Sequence, residues 1–236
     1  MKSLKKEISL AIRKTQDEDR ASHCQKFFKT GKEEYGEGDL FLGVRVPELR
    51  KLAKLYKKIS IDDITHFLKS KYHEERQFAL FVLLIQFKKA DDETKEKIYK
   101  LYLKHTRYIN NWDLVDATAH EIVGGYLKDK DRDILYKLVR SDNLWERRIA
   151  IIATFFFIKN NDFKDALKLS EILLPDTHDL IHKAVGWMLR EIGKRDLKTE
   201  TSFLKKHYAN IPRTSLRYAI EKFPPQKRKQ YLDGEL

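Results

Sequence analysis

The stretch Leu180-Ile181-His182-Lys183-Ala184-Val185-Gly186-Trp187-Met188-Leu189-Arg190-Glu191-Ile192-Gly193 reads as one helix with two unlike faces. Lys183, Trp187 and Arg190, with Lys194 just beyond, fall at i, i+4, i+7 and i+11 and share one side. Ala184, Val185, Met188, Leu189 and Ile192 cover most of the remaining circumference and are expected to be buried. Three cations around a tryptophan make a poor core. They make a good nucleic-acid contact, because cations meet phosphates while an indole offers a flat surface to a base or sugar. The bland alternative is an exposed face with a tryptophan at its margin.

The same 3.6-residue period continues on both sides of this stretch, with little period-2 alternation, only nine glycines and five prolines. The chain is therefore expected to be all helical. Strongly apolar helices are predicted over 73–87, 112–127, 144–158, 180–193 and 213–223, alternating with amphipathic ones near 92–104, 132–138, 163–173 and 197–208. Ahead of them lie helices over 8–13 and 20–28, then an irregular segment, 30–46, holding Gly31, Gly36, Gly38 and Gly43, after which Pro47 opens the next helix at its first position. A connection that long is a functional candidate by its length alone.

Aligning Arg76, Asp116, Arg148, Lys183 and Arg217 gives intervals of 32 to 40 residues, the period of a two-helix solenoid repeat. The expected architecture is an all-α superhelix, one domain over residues 1–236, with a helical N-terminal part to about residue 72 and repeats over about 73–225. The inner helices of such a stack line one concave groove. With four of the five aligned positions basic, that groove is expected to be a cationic track for a phosphate backbone, with Asp116 the one carboxylate in it.

Composition agrees with a polyanionic partner: 48 Lys and Arg against 36 Asp and Glu leave a formal net charge of +12. Cys24 is the only cysteine, which excludes an intramolecular disulfide and a thiolate zinc site within this sequence. The opening residues Met1-Lys2-Ser3-Leu4-Lys5-Lys6-Glu7 do not read as a secretion signal, and the longest apolar run, 149–158, is about half a membrane span. A cytoplasmic, nucleoid-associated monomer with no membrane contact is expected.

Among residues able to carry chemistry, Trp112 and Asp116 are the first candidates. Their i, i+4 spacing puts them on one helical face, at the edge of the apolar stripe Val115, Ala119, Ile122, Val123 and Tyr126. Asn111 suits the N-cap and Asp113 the first turn, where a carboxylate is favoured by the helix dipole. Arg147 and Arg148, at the mouth of the most hydrophobic helix, either pair with carboxylates or reach a phosphate with a planar fork. Trp145 reads as core. His178 and His182 are i, i+4 but lack an evident third ligand, so no metal or cofactor is expected. There is no phosphate-binding glycine loop, no Ser/His/Asp order with a supporting motif and no His-Glu-x-x-His.

Four ordered motifs resemble the AlkD family of DNA alkylation repair glycosylases: Asp39-Leu40-Phe41-Leu42-Gly43-Val44-Arg45-Val46-Pro47, Asn111-Trp112-Asp113-Leu114-Val115-Asp116, Asn143-Leu144-Trp145-Glu146-Arg147-Arg148, and Lys183-Ala184-Val185-Gly186-Trp187-Met188-Leu189-Arg190-Glu191. The resemblance runs from about residue 20 to 225. It implies HEAT-like helical repeats curved around duplex DNA and hydrolysis of the N-glycosidic bond of purines alkylated at N3 or N7. Trp112 and Trp187 then match the tryptophans flanking the lesion's deoxyribose, Asp116 the essential carboxylate, and Arg148 the arginine holding the nearby backbone. Together with the basic helix face and the aligned register, the expected contacts to double-stranded DNA are Lys183, Arg190, Lys194, Arg147, Arg45, Arg76, Arg217 and Tyr35.

Some positions depart from that pattern. Arg45 stands where a glutamine is found, Asn111 where a second aromatic precedes the tryptophan, and Tyr35 matches a family tyrosine only approximately. A non-catalytic binder of branched or damaged DNA is the alternative function, and a protein-interaction scaffold the third.

Overall fold

The computed structural model describes residues 4–235 of the chain. Met1, Lys2 and Ser3, part of the opening stretch read above as no secretion signal, lie outside the described residues. The helices are α1 (Leu4–Arg13), α2 (Glu18–Phe27), α3 (Val46–Leu55), α4 (Ile61–Leu68), α5 (His73–Phe87), α6 (Asp92–Lys104), α7 (Trp112–Ala119), α8 (Asp133–Leu138), α9 (Leu144–Ala153), α10 (Phe155–Lys159), α11 (Lys164–Leu173), α12 (Asp179–Gly193), α13 (Leu197–His207), α14 (Arg213–Ala219) and α15 (Pro225–Asp233). The all-α expectation holds: among the described residues the extended structure is one isolated bridge between Leu40 and Tyr72. No helix of the described residues is long and apolar enough to cross a membrane.

The chain divides into two compact units, Met1–Thr118 and Ala119–Leu236. In the first, α5 is the centre and packs against α3 and α4. Its apolar run Phe78 to Leu84 is buried on every side, as a helix with little amphipathicity requires. Its first turn is polar yet equally buried, and each of its side chains captures another part of the unit. Glu74 accepts the Leu42 and Gly43 amides at 2.9 and 2.8 Å, and Glu75 accepts the Ser9 and Ser70 hydroxyls and the Arg13 guanidinium. Two carboxylates at a helix N-terminus also suit its dipole. Gly43 adopts a φ of +77°, and a Cβ there would collide with the Asp17 carbonyl at the N-cap of α2, so only glycine fits.

In the second unit α12 is the central helix, with α9 and α14 as neighbours and α11 and α13 packed against it. Consecutive inner helices approach closely where glycine removes the side chain. A Cβ on Gly124 would run into the Ala153 carbonyl and Phe156, and one on Gly186 into the Ser215 carbonyl and Tyr218. The sequence separation from glycine to carbonyl and from glycine to ring is the same in both pairs. The second unit therefore repeats structurally.

Several helix ends differ from the sequence pattern. The predicted 144–158 helix breaks into α9 and α10 at Thr154, whose buried hydroxyl donates back to the Ile151 carbonyl at 2.6 Å and competes with the ladder. The predicted 112–127 helix is α-helical only to Ala119 and then widens into a π segment, His120–Gly124. The predicted 213–223 helix tightens to a 3-10 turn over Ile220–Lys222. Helices α4 and α15 have no counterpart in the reading of the sequence.

Candidate nucleic-acid interface

Trp112 is the first residue of α7 and Asp116 follows one turn later, both half-buried beside fully buried Leu114, Val115 and Ala119. The Asn111 side chain accepts the Trp112 amide at 2.8 Å and so caps the helix start. Behind the helix, the Thr118 hydroxyl donates to the Leu114 carbonyl at 2.6 Å and leaves its lone pairs to the Tyr102 hydroxyl at 3.0 Å. Burial raises the Tyr102 pKa, and the nearby Asp116 charge raises it further. Tyr102 is thus a neutral donor at the base of the helix that carries the carboxylate.

An aromatic cluster supports the Trp112 indole. Phe28 lies 5.5 Å from it and Phe27 meets it edge-on at 6.1 Å. Phe28 in turn packs on Phe41 at 5.1 Å and on His73 at 5.3 Å. Phe27 is 56% exposed, so one side of its ring meets solvent beside the indole. The sequence did not single it out: two adjacent phenylalanines at a helix end give no sign of which one faces out.

Asp113, read as a first-turn carboxylate favoured by the helix dipole, is tied into the core. Its Oδ2 lies 2.8 Å from His73 Nε2 and accepts from Gln77 at 2.9 Å. Arg76, expected to line the cationic track, is corrected: it is 3% exposed and bonds Asp39 at 2.6 Å. Asp39 also accepts from Asn110 at 2.9 Å. Burial alone would raise the Asp39 carboxyl, but the nearby His73 ring, the Arg76 charge and the Arg76 and Asn110 donors hold it below the usual range.

On the second unit, Lys183, Trp187 and Arg190 are only partly buried on α12, opposite fully buried Ala184, Met188, Leu189 and Ile192. Trp187 is half-buried and packs on Phe155 at 5.6 Å, its indole N–H directed to Glu191 at 3.3 Å. The cations are partnered: Lys183 with Asp179 at 2.6 Å, Lys194 with Glu191 at 2.5 Å, and Arg190 with Glu221. Lys183 and Lys194 keep two fifths or so of their side chains in solvent, where such pairs contribute little stability. Arg147 takes the structural alternative, bonding Asp176 at 2.7 Å and the Ser141 and Asp142 carbonyls. Arg148 is 4% exposed and donates to the Leu180 carbonyl. Trp145 is core.

Arg45 and Arg217 are exposed, and Tyr35 is half-buried. The aligned basic positions therefore do not share one environment: Arg76 and Arg148 are buried, Lys183 is intermediate and Arg217 exposed. A basic residue opening an apolar helix serves as readily to anchor the chain as to meet a phosphate. Residues His178 and His182 each have a backbone partner, His178 accepting the Leu180 amide at 3.1 Å and His182 facing the Asp176 carbonyl at 2.5 Å. Among the described residues no group of three His, Cys, Asp or Glu side chains is arranged to hold a metal.

A family model described as DNA alkylation repair enzyme matches residues 8–223. The chain belongs to this family. Three solved structures share the fold of this DNA alkylation repair family member. A predicted DNA alkylation repair enzyme from Enterococcus faecalis matches with a TM-score of 0.70 at 16% identity, over 89% of this chain and 98% of that one. The smu.31 protein of Streptococcus mutans UA159 matches with a TM-score of 0.54 at 18% identity, over 94% and 99%. AlkD2 from Streptococcus mutans also gives 0.54 at 18% identity, over 88% and 99%. Among proteins of curated function, none matches the sequence.

Proposed function

We propose that this DNA repair protein is a glycosylase that hydrolyses the N-glycosidic bond of N3- or N7-alkylated purines in duplex DNA. The observation carrying the proposal is the half-exposed pair of an indole and a carboxylate on consecutive turns of α7, in a member of the alkylation repair family. An alkylated purine of this kind is cationic, so it leaves with little or no protonation. A glycoside oxygen, by contrast, requires a general acid. One carboxylate then suffices. As the bond breaks, positive charge grows on the sugar. Asp116 stabilises it electrostatically and positions the attacking water. The face of Trp112 favours a nearby cation by roughly 0.5 to 2 kcal/mol, and Trp187 is the aromatic contact proposed on the second unit. Lys183, Arg190, Lys194, Arg45 and Arg217 are the proposed phosphate contacts, and Phe27 is an added aromatic contact beside Trp112.

The test is release of N7-methylguanine or N3-methyladenine from methylated duplex DNA. Wild-type protein is expected to release base, and Asp116→Asn to lose at least about a hundredfold in rate, in line with removal of one preorganised electrostatic group. Equal release by both proteins defeats the assignment of Asp116. One observation favours a second reading, non-catalytic binding of damaged or branched DNA: Arg148 is buried on a backbone carbonyl and is not presented to solvent. Tight binding of such DNA by wild type, with no base released, selects that reading.

A further inference from the structure

The first turn of α5 buries an imidazole that the chemistry above leaves unused. His73 is 2% exposed, and its ring packs on Phe41 at 4.6 Å and on Phe28 at 5.3 Å. Both ring nitrogens face carboxylates. Nε2 is 2.8 Å from Asp113 Oδ2, and Nδ1 is 3.6 Å from Asp39 Oδ2, a charge-to-charge distance too long for a hydrogen bond. The neutral ring has one bare lone pair, which would point at an anion whichever tautomer formed. Only the imidazolium suits both neighbours. The third charged group nearby is Arg76 of the same helix, itself bonded to Asp39, while Gln77 and Asn110 add neutral donors to Asp113 and Asp39.

Two routes lead from this ring to the candidate site. Asp113 is the residue between Trp112 and the rest of the first turn of α7, so whatever grips its carboxylate orients that turn. Phe28, packed on His73, is also the ring against which Trp112 rests, at 5.5 Å. We propose that His73, as a buried imidazolium, is a positioning residue for Trp112 and Asp116, clamping Asp113 and backing Phe28 so that indole and carboxylate are held ready for DNA. The functional consequence rests on the reading given under Proposed function; the clamp itself does not.

Burial alone would pull the imidazole's pKa down, but the Asp113 charge and hydrogen bond, with Asp39 behind them, override it and push it up to about 9. Because the folded value lies above the ordinary 6.5, the imidazolium's contribution to stability is full below about 6.5 and is lost as pH rises through about 9, where the clamp itself opens.

The experiment is a pH titration of the nitrogen-15-labelled protein by NMR. It follows the His73 ring nitrogens and the Trp112 indole N–H, assigned with His73→Gln and Trp112→Phe. Both ring nitrogens are expected to be protonated at neutral pH and to titrate near 9, with the Trp112 resonance moving at the same midpoint. In parallel, kcat for base release is expected to fall with that midpoint. His73→Gln, which keeps a donor for Asp113 without charge, is expected to lower kcat roughly tenfold to a hundredfold and to remove the pH step. A His73 ring with one bare nitrogen at neutral pH, a Trp112 resonance indifferent to the His73 titration, or a kcat that ignores it overturns the proposal. If wild type releases no base, the glycosylase reading fails while the two NMR readouts still decide the clamp. The wild-type titration needs no variant, so misfolding of His73→Gln leaves the test intact.

Discussion

Arg76 and Asp39 form an ion pair with almost no access to water. Such a pair contributes little net stability as a unit, but removing one partner strands the other's charge in the core. Arg76→Met is therefore expected to destabilise the first unit by about 3 to 5 kcal/mol, read from urea unfolding, and adding Asp39→Asn should recover part of that loss. A cost below about 1 kcal/mol would mean that His73 and Asn110 alone satisfy Asp39. The pair also shows which residues the sequence could and could not assign. Trp112, Asp116 and Trp187 are half-buried at the margin of apolar stripes, where helical spacing puts them. Arg76 was misassigned because its partner, Asp39, lies in an irregular segment, and no periodicity connects a loop carboxylate to a helix guanidinium. Phe27 and His73 were missed for the same reason, since their meaning comes from contacts between α2, α5 and α7 that leave no local pattern.

At the level of elements, the helices that could be read were those whose apolar spacing persists for three turns or more; α5 and α6 occupy the predicted ranges. The π segment after α7 and the break at Thr154 escaped, because each depends on how one hydrogen bond is satisfied and not on which face is apolar. The repeat was legible as a period but not as a residue register. Its structural mark is the pair of glycines, Gly124 and Gly186, at which the next inner helix comes close. Replacing a mid-helix glycine with alanine ordinarily stabilises by roughly 0.5 to 1 kcal/mol. Here the sign should reverse: Gly186→Ala drives a methyl into the Ser215 carbonyl and Tyr218, an overpacking expected to cost about 1 to 3 kcal/mol in thermal or urea unfolding. A stabilised Gly186→Ala protein would show that α12 and α14 can separate freely.

For the whole molecule, the net charge of +12 predicts DNA affinity that falls steeply with salt, log affinity declining against log salt by about 0.9 for each phosphate neutralised. The two kinds of arginine should separate in that measurement. Arg217→Ala, at an exposed position, should lower the slope by about 1 and weaken binding to any sequence alike. Arg76→Met, provided it is measured where the protein is folded, should leave the slope unchanged; a change would place Arg76 on the DNA after all. The buried first turn of α5 also bears on how the chain reaches this state. Glu75 meets Ser9 and Arg13 across 66 and 62 positions of sequence, and His73 meets Asp113 across 40. Closing loops of that length uses up chain entropy before any of the polar contacts is made. The second unit can add each helix to the one before it, whereas the first must gather its N-terminal helix, its long irregular segment and the start of α7 around a single turn. The larger entropic barrier to folding therefore belongs to the unit that carries Asp116.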